Sequence, residues 1–209
     1  MVRYAIDHLR EADLDDVHAI DAMSFSMPWS IDTYRQELRA PQRSRYVVAR
    51  FLVADTPHVP PPLHSVRTRL FGMLGQSDGA PAPLSGTIVG HAGIMRTPTD
   101  GHITTLAVLP DHRRQGVGEL LLLALIEHAY DLGVRSLTLE VRTSNMAAQQ
   151  LYAKYGFFIM HTVAGYYRDN HEDAVVMVIA DITSLSFREQ TKERSDALYQ
   201  RLIHKNPRT

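Results

Sequence analysis

The stretch from His102 to Leu132, HITTLAVLPDHRRQGVGELLLLALIEHAYDL, constrains the fold of this chain more than any other. It reads as a β-branched strand, a short basic glycine turn and a long apolar helix. Gly116 and Gly118 let the backbone take unusual dihedrals and come close to a ligand. The helix that follows aims its unpaired amides and the positive end of its dipole back at the turn. An anion such as a pyrophosphate fits there, and Arg113 and Arg114 add positive charge beside it. The competing reading is a plain glycine bend with solvated arginines. Two nucleotide classes drop out. A triphosphate loop needs Gly-Lys-Ser/Thr, which is missing. A dinucleotide fingerprint needs a third glycine where Leu121 stands.

Composition narrows the class further. The chain has 209 residues, 44% hydrophobic and 22% charged, values of an ordinary globular protein with a real core. A net charge of -1 gives no general pull toward nucleic acid or an anionic membrane, so neither is expected as a partner. The absence of cysteine excludes disulfides, thiolate catalysis and a sulfur-ligated zinc site, and fits a cytoplasmic protein. The eleven histidines form no close pair at helical or strand spacing, so no metal site is expected. The N-terminal segment has no apolar signal-peptide core. The longest apolar run, Leu120 to Ile126, falls far short of the roughly 20 residues a membrane-spanning helix needs.

In chain order, Val2 to Ile6 reads as a strand, and Leu14, Val17, Ile20 and Met23 give the next segment a helical stripe. Pro28 breaks it, and Ser30 is a good N-cap for a second helix to about Arg39. Arg45 to Val53 is a strand. Residues 55–86 are rich in proline and glycine and read as a mobile surface insertion, or else a lid or partner-binding flap carrying Arg67, Arg69, Leu70 and Phe71. Strands follow at Thr87 to Arg96 and His102 to Val108, in hairpin register. In Ser136 to Val141, Leu137, Leu139 and Val141 face one way and Ser136, Thr138 and Glu140 the other. Asn145 to Tyr155 is a helix with Ser144 or Asn145 as its N-cap and Gly156 as its stop, and Phe157 to Val163 and Ala174 to Ile179 are strands. From Asp181 the tail is highly charged, and Phe187, Leu198, Leu202 and Ile203 give it one apolar stripe, enough for a weakly docked helix or a frayed end. The pattern is α/β or α+β, one central sheet with helices on its faces.

Five segments in order resemble the GNAT acyltransferase superfamily. They are Leu106-Ala107-Val108-x-Pro110, the loop Arg113-x-x-Gly116-x-Gly118, Leu139-Glu140-Val141-Arg142-x-x-Asn145, Leu151-Tyr152-x-x-x-Gly156-Phe157, and Gly165-Tyr166-Tyr167 with Glu172-Asp173-Ala174. With Pro28-Trp29-Ser30 they look like the branch of ribosomal-protein alanine N-acetyltransferases and their archaeal and eukaryotic relatives. The resemblance spans residues 3–180 apart from 55–86, so a domain over 1–180 and a separate tail over 181–209 are expected. It implies a mixed, mostly antiparallel sheet splayed between its fourth and fifth strands.

The resemblance also implies acetyl-CoA as cofactor. Arg113, Arg114, Gln115, Gly116, Val117, Gly118 and Glu119 would hold its pyrophosphate. Leu106, Ala107 and Val108 would hold its pantetheine arm on their free backbone edge, the Val108 amide polarising the acetyl carbonyl. Asn145 would act as N-cap and also touch the arm. Glu140 is the implied general base, directly or through water, and Tyr152 the implied acid for the departing sulfur. Their plainer readings are an ion-pair partner of Arg142 and a packed helix tyrosine. Trp29 would wall the acceptor side or close the core; Tyr166 and Tyr167 would shape the acceptor mouth or sit as wet strand-edge tyrosines. The implied activity is acetyl transfer to the α-amino group of a protein N-terminus, a ribosomal protein beginning with alanine or serine, by a monomer or weak homodimer. A lysine or small-amine acceptor and a non-catalytic acyl-CoA-binding regulatory module are the alternatives.

Overall fold

Successive residues of each central strand leave the sheet on opposite sides, and that alternation builds two cores. The computed structural model describes residues 4–52 and 84–204. The expected flap therefore lies almost wholly outside the described residues. Strands β1 (Tyr4–His8), β2 (Ser44–Phe51), β3 (Thr87–Arg96), β4 (Gly101–Val108), β5 (Leu137–Arg142), β6 (Phe158–Tyr167) and β7 (Glu172–Ile179) form one sheet in the order β1-β2-β3-β4-β5-β7-β6. In β2, Val47 and Ala49 join one core while Tyr46 and Val48 join the other.

Helix α1 (Leu14–Ser24) and helix α2 (Ile31–Leu38) cover one face, with Leu14, Val17, Ile20 and Tyr34 buried against Tyr46, Val48 and Ile88. Ser30 caps α2 as its sequence position predicts, its hydroxyl accepting from the Thr33 amide at 3.1 Å. Helix α3 (Val117–Asp131) covers the other face. Leu121, Leu122, Leu125 and Ile126 are completely enclosed there with Val89, Ile94, Leu137 and Leu139. Helix α4 is Met146–Lys154, and helix α5 is Leu185–His204.

All neighbouring strands run antiparallel except β4 and β5, which are parallel and pair only at Gly101↔Leu137 and His102↔Thr138. Beyond those two rungs the strands diverge, so the β4 edge over residues 103–108 carries no sheet partner on the β5 side. This is the splay the resemblance implies, and it opens the sheet at its middle.

The tail departs from expectation. Over its described residues it is a helix docked on the domain, with Phe187, Leu198 and Leu202 buried in the same core as α3. Ile203, read as part of the stripe, is exposed instead.

Candidate active site

A cleft of about 1000 Å³ occupies the splay, with walls from β4, β5, α4 and the α1–α2 connection. Sequence alternation supplies the first wall. Leu137, Leu139 and Val141 are buried in the core, which turns Glu140 the other way, into the cleft. Asn145 begins α4, its side-chain oxygen accepting from the Ala148 amide at 3.2 Å. From that cap the helical repeat carries Ala148, Leu151 and Tyr152 onto the cleft side.

Tyr152 is buried, its ring 5.7 Å from that of Phe157. Burial pushes its phenol well above the ordinary value of 10, with the nearby Tyr167 adding to the effect. Tyr152 therefore stays protonated across the whole neutral range. Glu140 keeps partial solvent access. Its Oε2 accepts from the Tyr166 hydroxyl at 3.4 Å and lies 3.3 Å from His102 Nε2.

Arg142 is not the partner of Glu140. It binds Asp169 at 2.8 Å and Glu172 at 3.0 Å, reaches Ser26 at 3.3 Å, and lies 3.9 Å over the Tyr167 ring. Donors from Ser144, together with Arg142, hold the Glu172 carboxyl at about 2. Arg142 thus ties the β6–β7 turn to the α1–α2 connection across the mouth of the cleft.

Tyr166 and Tyr167 both line that mouth, packed edge to face at 5.1 Å. They end β6 rather than forming a loop, at an irregularity between Val163 and Tyr167 where Gly165 takes φ 60°. Trp29 lies between the core and the cleft. It is half-buried against Tyr34 and Tyr46, at 5.5 and 6.3 Å, and also lines the cleft. Beneath it, His91 Nε2 sits 2.7 Å from Asp21 Oδ1, and Tyr34 donates to Asp21 Oδ2 at 2.6 Å, all three buried. These contacts fasten α1 and α2, and hence that wall of the cleft, to β3.

Leu106 lines the cleft, Ala107 is buried under the sheet, and Val108 is half-buried at the end of β4. The loop from Arg113 to Gly118 begins where β4 ends. Arg113 folds back, its Nε donating to the Val108 carbonyl at 2.9 Å. Arg114 adopts φ 59° and Gly116 φ 94°, so the turn closes through two left-handed residues before α3 begins at Val117. Gln115 is fixed from both sides, donating to the Asp111 carbonyl at 2.8 Å and accepting from Tyr4 at 2.8 Å. The amides of Val117, Gly118 and Glu119 precede the first intrahelical donor, the Leu120 amide, which bonds the Gly116 carbonyl at 3.0 Å, and so belong to the open end of the helix. A Cβ on Gly118 would lie 3.3 Å from Leu151 and 3.9 Å from Leu106, so the loop abuts residues of the cleft.

Glu119 differs from its expected place in one respect. Its carboxylate turns away from the loop to Lys154, Arg201 and Tyr155. Burial opposes that charge, but Lys154, Tyr155 and Arg201 outweigh it and hold the carboxyl below the usual range. Only its backbone amide remains with the helix end. His102 is the residue that sequence reasoning gave no role. The signal was the polar face of β4, readable only once β4 is known to lie beside β5.

The site as built offers an anion cradle, a free strand edge, a carboxylate and a protonated phenol around one cleft. The acetyltransferase (GNAT) family model matches residues 55–157. A Bacillus subtilis (strain 168) protein, named provisionally as a ribosomal protein bS18-alanine N-acetyltransferase, is 31% identical over 173 residues, 83% of this chain and 93% of its own length. The ribosomal protein bS18-alanine N-acetyltransferase of Escherichia coli (strain K12) is 45% identical over 76 residues, 35% of this chain and 51% of that protein. The crystal structure of the ribosomal-protein-S18-alanine N-acetyltransferase from Escherichia coli superposes with a TM-score of 0.60 at 25% identity, covering 87% of this chain and 97% of that one. Sequence similarity to the Bacillus subtilis protein over 83% of this chain and 93% of that one, and a shared fold, lead to one conclusion: the chain is an acyltransferase and belongs to the GNAT family.

Proposed function

We propose that this enzyme moves the acetyl group of acetyl-CoA to the α-amino group of a protein N-terminus, a ribosomal protein that begins with alanine or serine. Acetyltransferases of its family use acetyl-CoA, and two relatives carry the name of a bS18-alanine N-acetyltransferase. The observation that carries the proposal is the shape of the cleft. It runs from the β4–β5 gap beside the glycine loop to a mouth framed by Trp29, Tyr166 and Tyr167, with Glu140 between.

The residues fit acetyl-CoA. The positive φ of Gly116 and the first-turn amides of α3 suit a pyrophosphate, with Arg113 and Arg114 beside them. The unpaired edge of β4, including the Val108 amide, suits an amide-bearing arm. When bound, the thioester supplies an activated acetyl carbonyl. On the protein side, Glu140 takes the proton that an ammonium group must lose before it can attack. Tyr152, kept protonated by burial, gives a proton to the leaving sulfur. Asn145 caps α4 and so fixes the pitch at which Tyr152 enters the cleft. A purely regulatory acyl-CoA module has no need of a carboxylate and a buried phenol in one cleft. An acceptor on the ribosome and a cysteine-free sequence both fit a cytoplasmic enzyme. Among the described residues no helix is long and apolar enough to cross a membrane.

The test is thiol release from acetyl-CoA with short peptides that differ in first residue, with free or blocked N-termini and with internal lysine. Turnover on free α-amines alone, best with alanine or serine first, is the expected result. Turnover on blocked peptides through lysine would overturn the α-amino assignment.

A further inference from the structure

We propose that His102 is a positioning residue that holds the Glu140 carboxylate in its working orientation, with Thr138 setting the tautomer of the ring. The inference rests on the acetyltransferase reading above. Its basis is the one place where β4 and β5 still pair. His102 and Thr138 are direct parallel neighbours, and Glu140 follows two residues on, on the same side of β5. The imidazole lies between the two β5 side chains. Nδ1 is 3.1 Å from the Thr138 hydroxyl oxygen, and Nε2 is 3.3 Å from Glu140 Oε2. His102 and Glu140 both line the cleft, with side chains 26% and 22% exposed.

For a neutral ring the donor and acceptor inventory selects one arrangement. An ionised carboxylate only accepts, whereas a threonine hydroxyl donates or accepts. Nε2–H directed at Glu140, with Nδ1 accepting the Thr138 proton, satisfies every group. In that state neither ring nitrogen is free to take a proton from the acceptor amine, so His102 serves through Glu140 and does not replace it. Oε2 receives both His102 and the Tyr166 hydroxyl, which leaves Oε1 for the incoming amine.

Loss of alignment at a reacting group is worth up to about 10²-fold in rate. With acetyl-CoA and an alanine-first hexapeptide, His102→Phe keeps the ring volume, removes the donor, and should lower kcat about 10- to 100-fold at unchanged KM for acetyl-CoA. His102→Gln restores an N–H donor and should recover most of the loss. In a Glu140→Gln background, His102→Phe should lower kcat no further, because the two act as a unit. Wild-type kcat in His102→Phe, or an equal loss in both backgrounds, would overturn the positioning role while leaving Glu140 as base. A wild-type rate in Glu140→Gln alone would overturn the base and, with it, the role of His102. A readout that needs no acceptor is the 15N spectrum of the ring. Nε2–H with an accepting Nδ1 is expected, and the reverse tautomer would refute the proposal.

Discussion

Gly116→Ala is the substitution whose effect follows most directly from the geometry. Gly116 has φ 94°, a region that L residues enter at about 1–2 kcal/mol. A Cβ there would lie 3.1 Å from Leu198 Cδ1 and 3.1 Å from Leu202 Cδ2, both on α5 and both buried. Those contacts are tight but end on side-chain methyls, which yield by tenths of an ångström. Their cost belongs at the low end of the overpacking range, about 1 kcal/mol. The sum is about 2–3 kcal/mol, which lowers Tm by roughly 4–12 °C for a chain of this size, read by scanning calorimetry. A displaced turn also mis-aims the α3 amides. Losing one charge-assisted hydrogen bond, about 1.5 kcal/mol, weakens coenzyme A binding roughly tenfold by calorimetric titration. Two controls separate the causes. Gly118→Ala has no positive φ and meets only side-chain methyls, Leu151 at 3.3 Å and Leu106 at 3.9 Å, so its Tm should stay close to wild type. Leu202→Ala added to Gly116→Ala opens space for the methyl, so the double variant should be less damaged than the two losses added together. A Gly116→Ala protein with wild-type Tm and coenzyme A affinity would refute both the backbone requirement and the contact with α5.

Glu140→Gln and Tyr152→Phe should each lower kcat by about 10²–10⁴ while the Kd for coenzyme A stays unchanged; either variant at full rate loses its role. Because burial raises the Tyr152 phenol above 10, it remains a proton donor up to about pH 10, and kcat should show no Tyr152-dependent fall below that point. The sign for stability is the same: the contribution holds below pH 10 and is lost as pH rises past the raised value. Arg114→Ala should weaken coenzyme A binding about tenfold in low salt and less in high salt, since an exposed charge is screened. Asp21→Ala strands His91 and Tyr34 without their buried partner and should cost about 3–5 kcal/mol by denaturant unfolding.

What local pattern governs was legible. The strand Thr87–Arg96 lies where its residues predicted, and the caps at Ser30 and Asn145 follow from short-range hydrogen bonding. What depends on which strand lies beside which was not. The Glu140–Arg142 ion pair looked natural two residues apart on β5, yet Arg142 finds Asp169 and Glu172 across the β6–β7 turn. His102 meets Glu140 only because the chain crosses from β4 through α3 before laying β5 alongside. The α5 stripe was weak for a physical reason. Its buried positions are Phe187, Thr191, Ser195, Leu198 and Leu202, a regular helical spacing with two hydroxyl residues diluting the apolar signal.

That stripe also supports the loop proposed to hold the cofactor. From sequence, the loop depends on its own glycines and arginines. In the fold, Gly116 is small because α5 passes over it, and Glu119 is charged because Lys154 of α4 and Arg201 of α5 meet there. The first turn of α3 is therefore held from two directions, by the helix that carries Tyr152 and by the helix that ends the described chain. A change at Arg201 or Leu202, far from any reacting atom, reaches the anion cradle through one carboxylate and one missing methyl. Loss of affinity for coenzyme A without loss of kcat is the signature that this route leaves, and it separates α5 from the residues of the cleft.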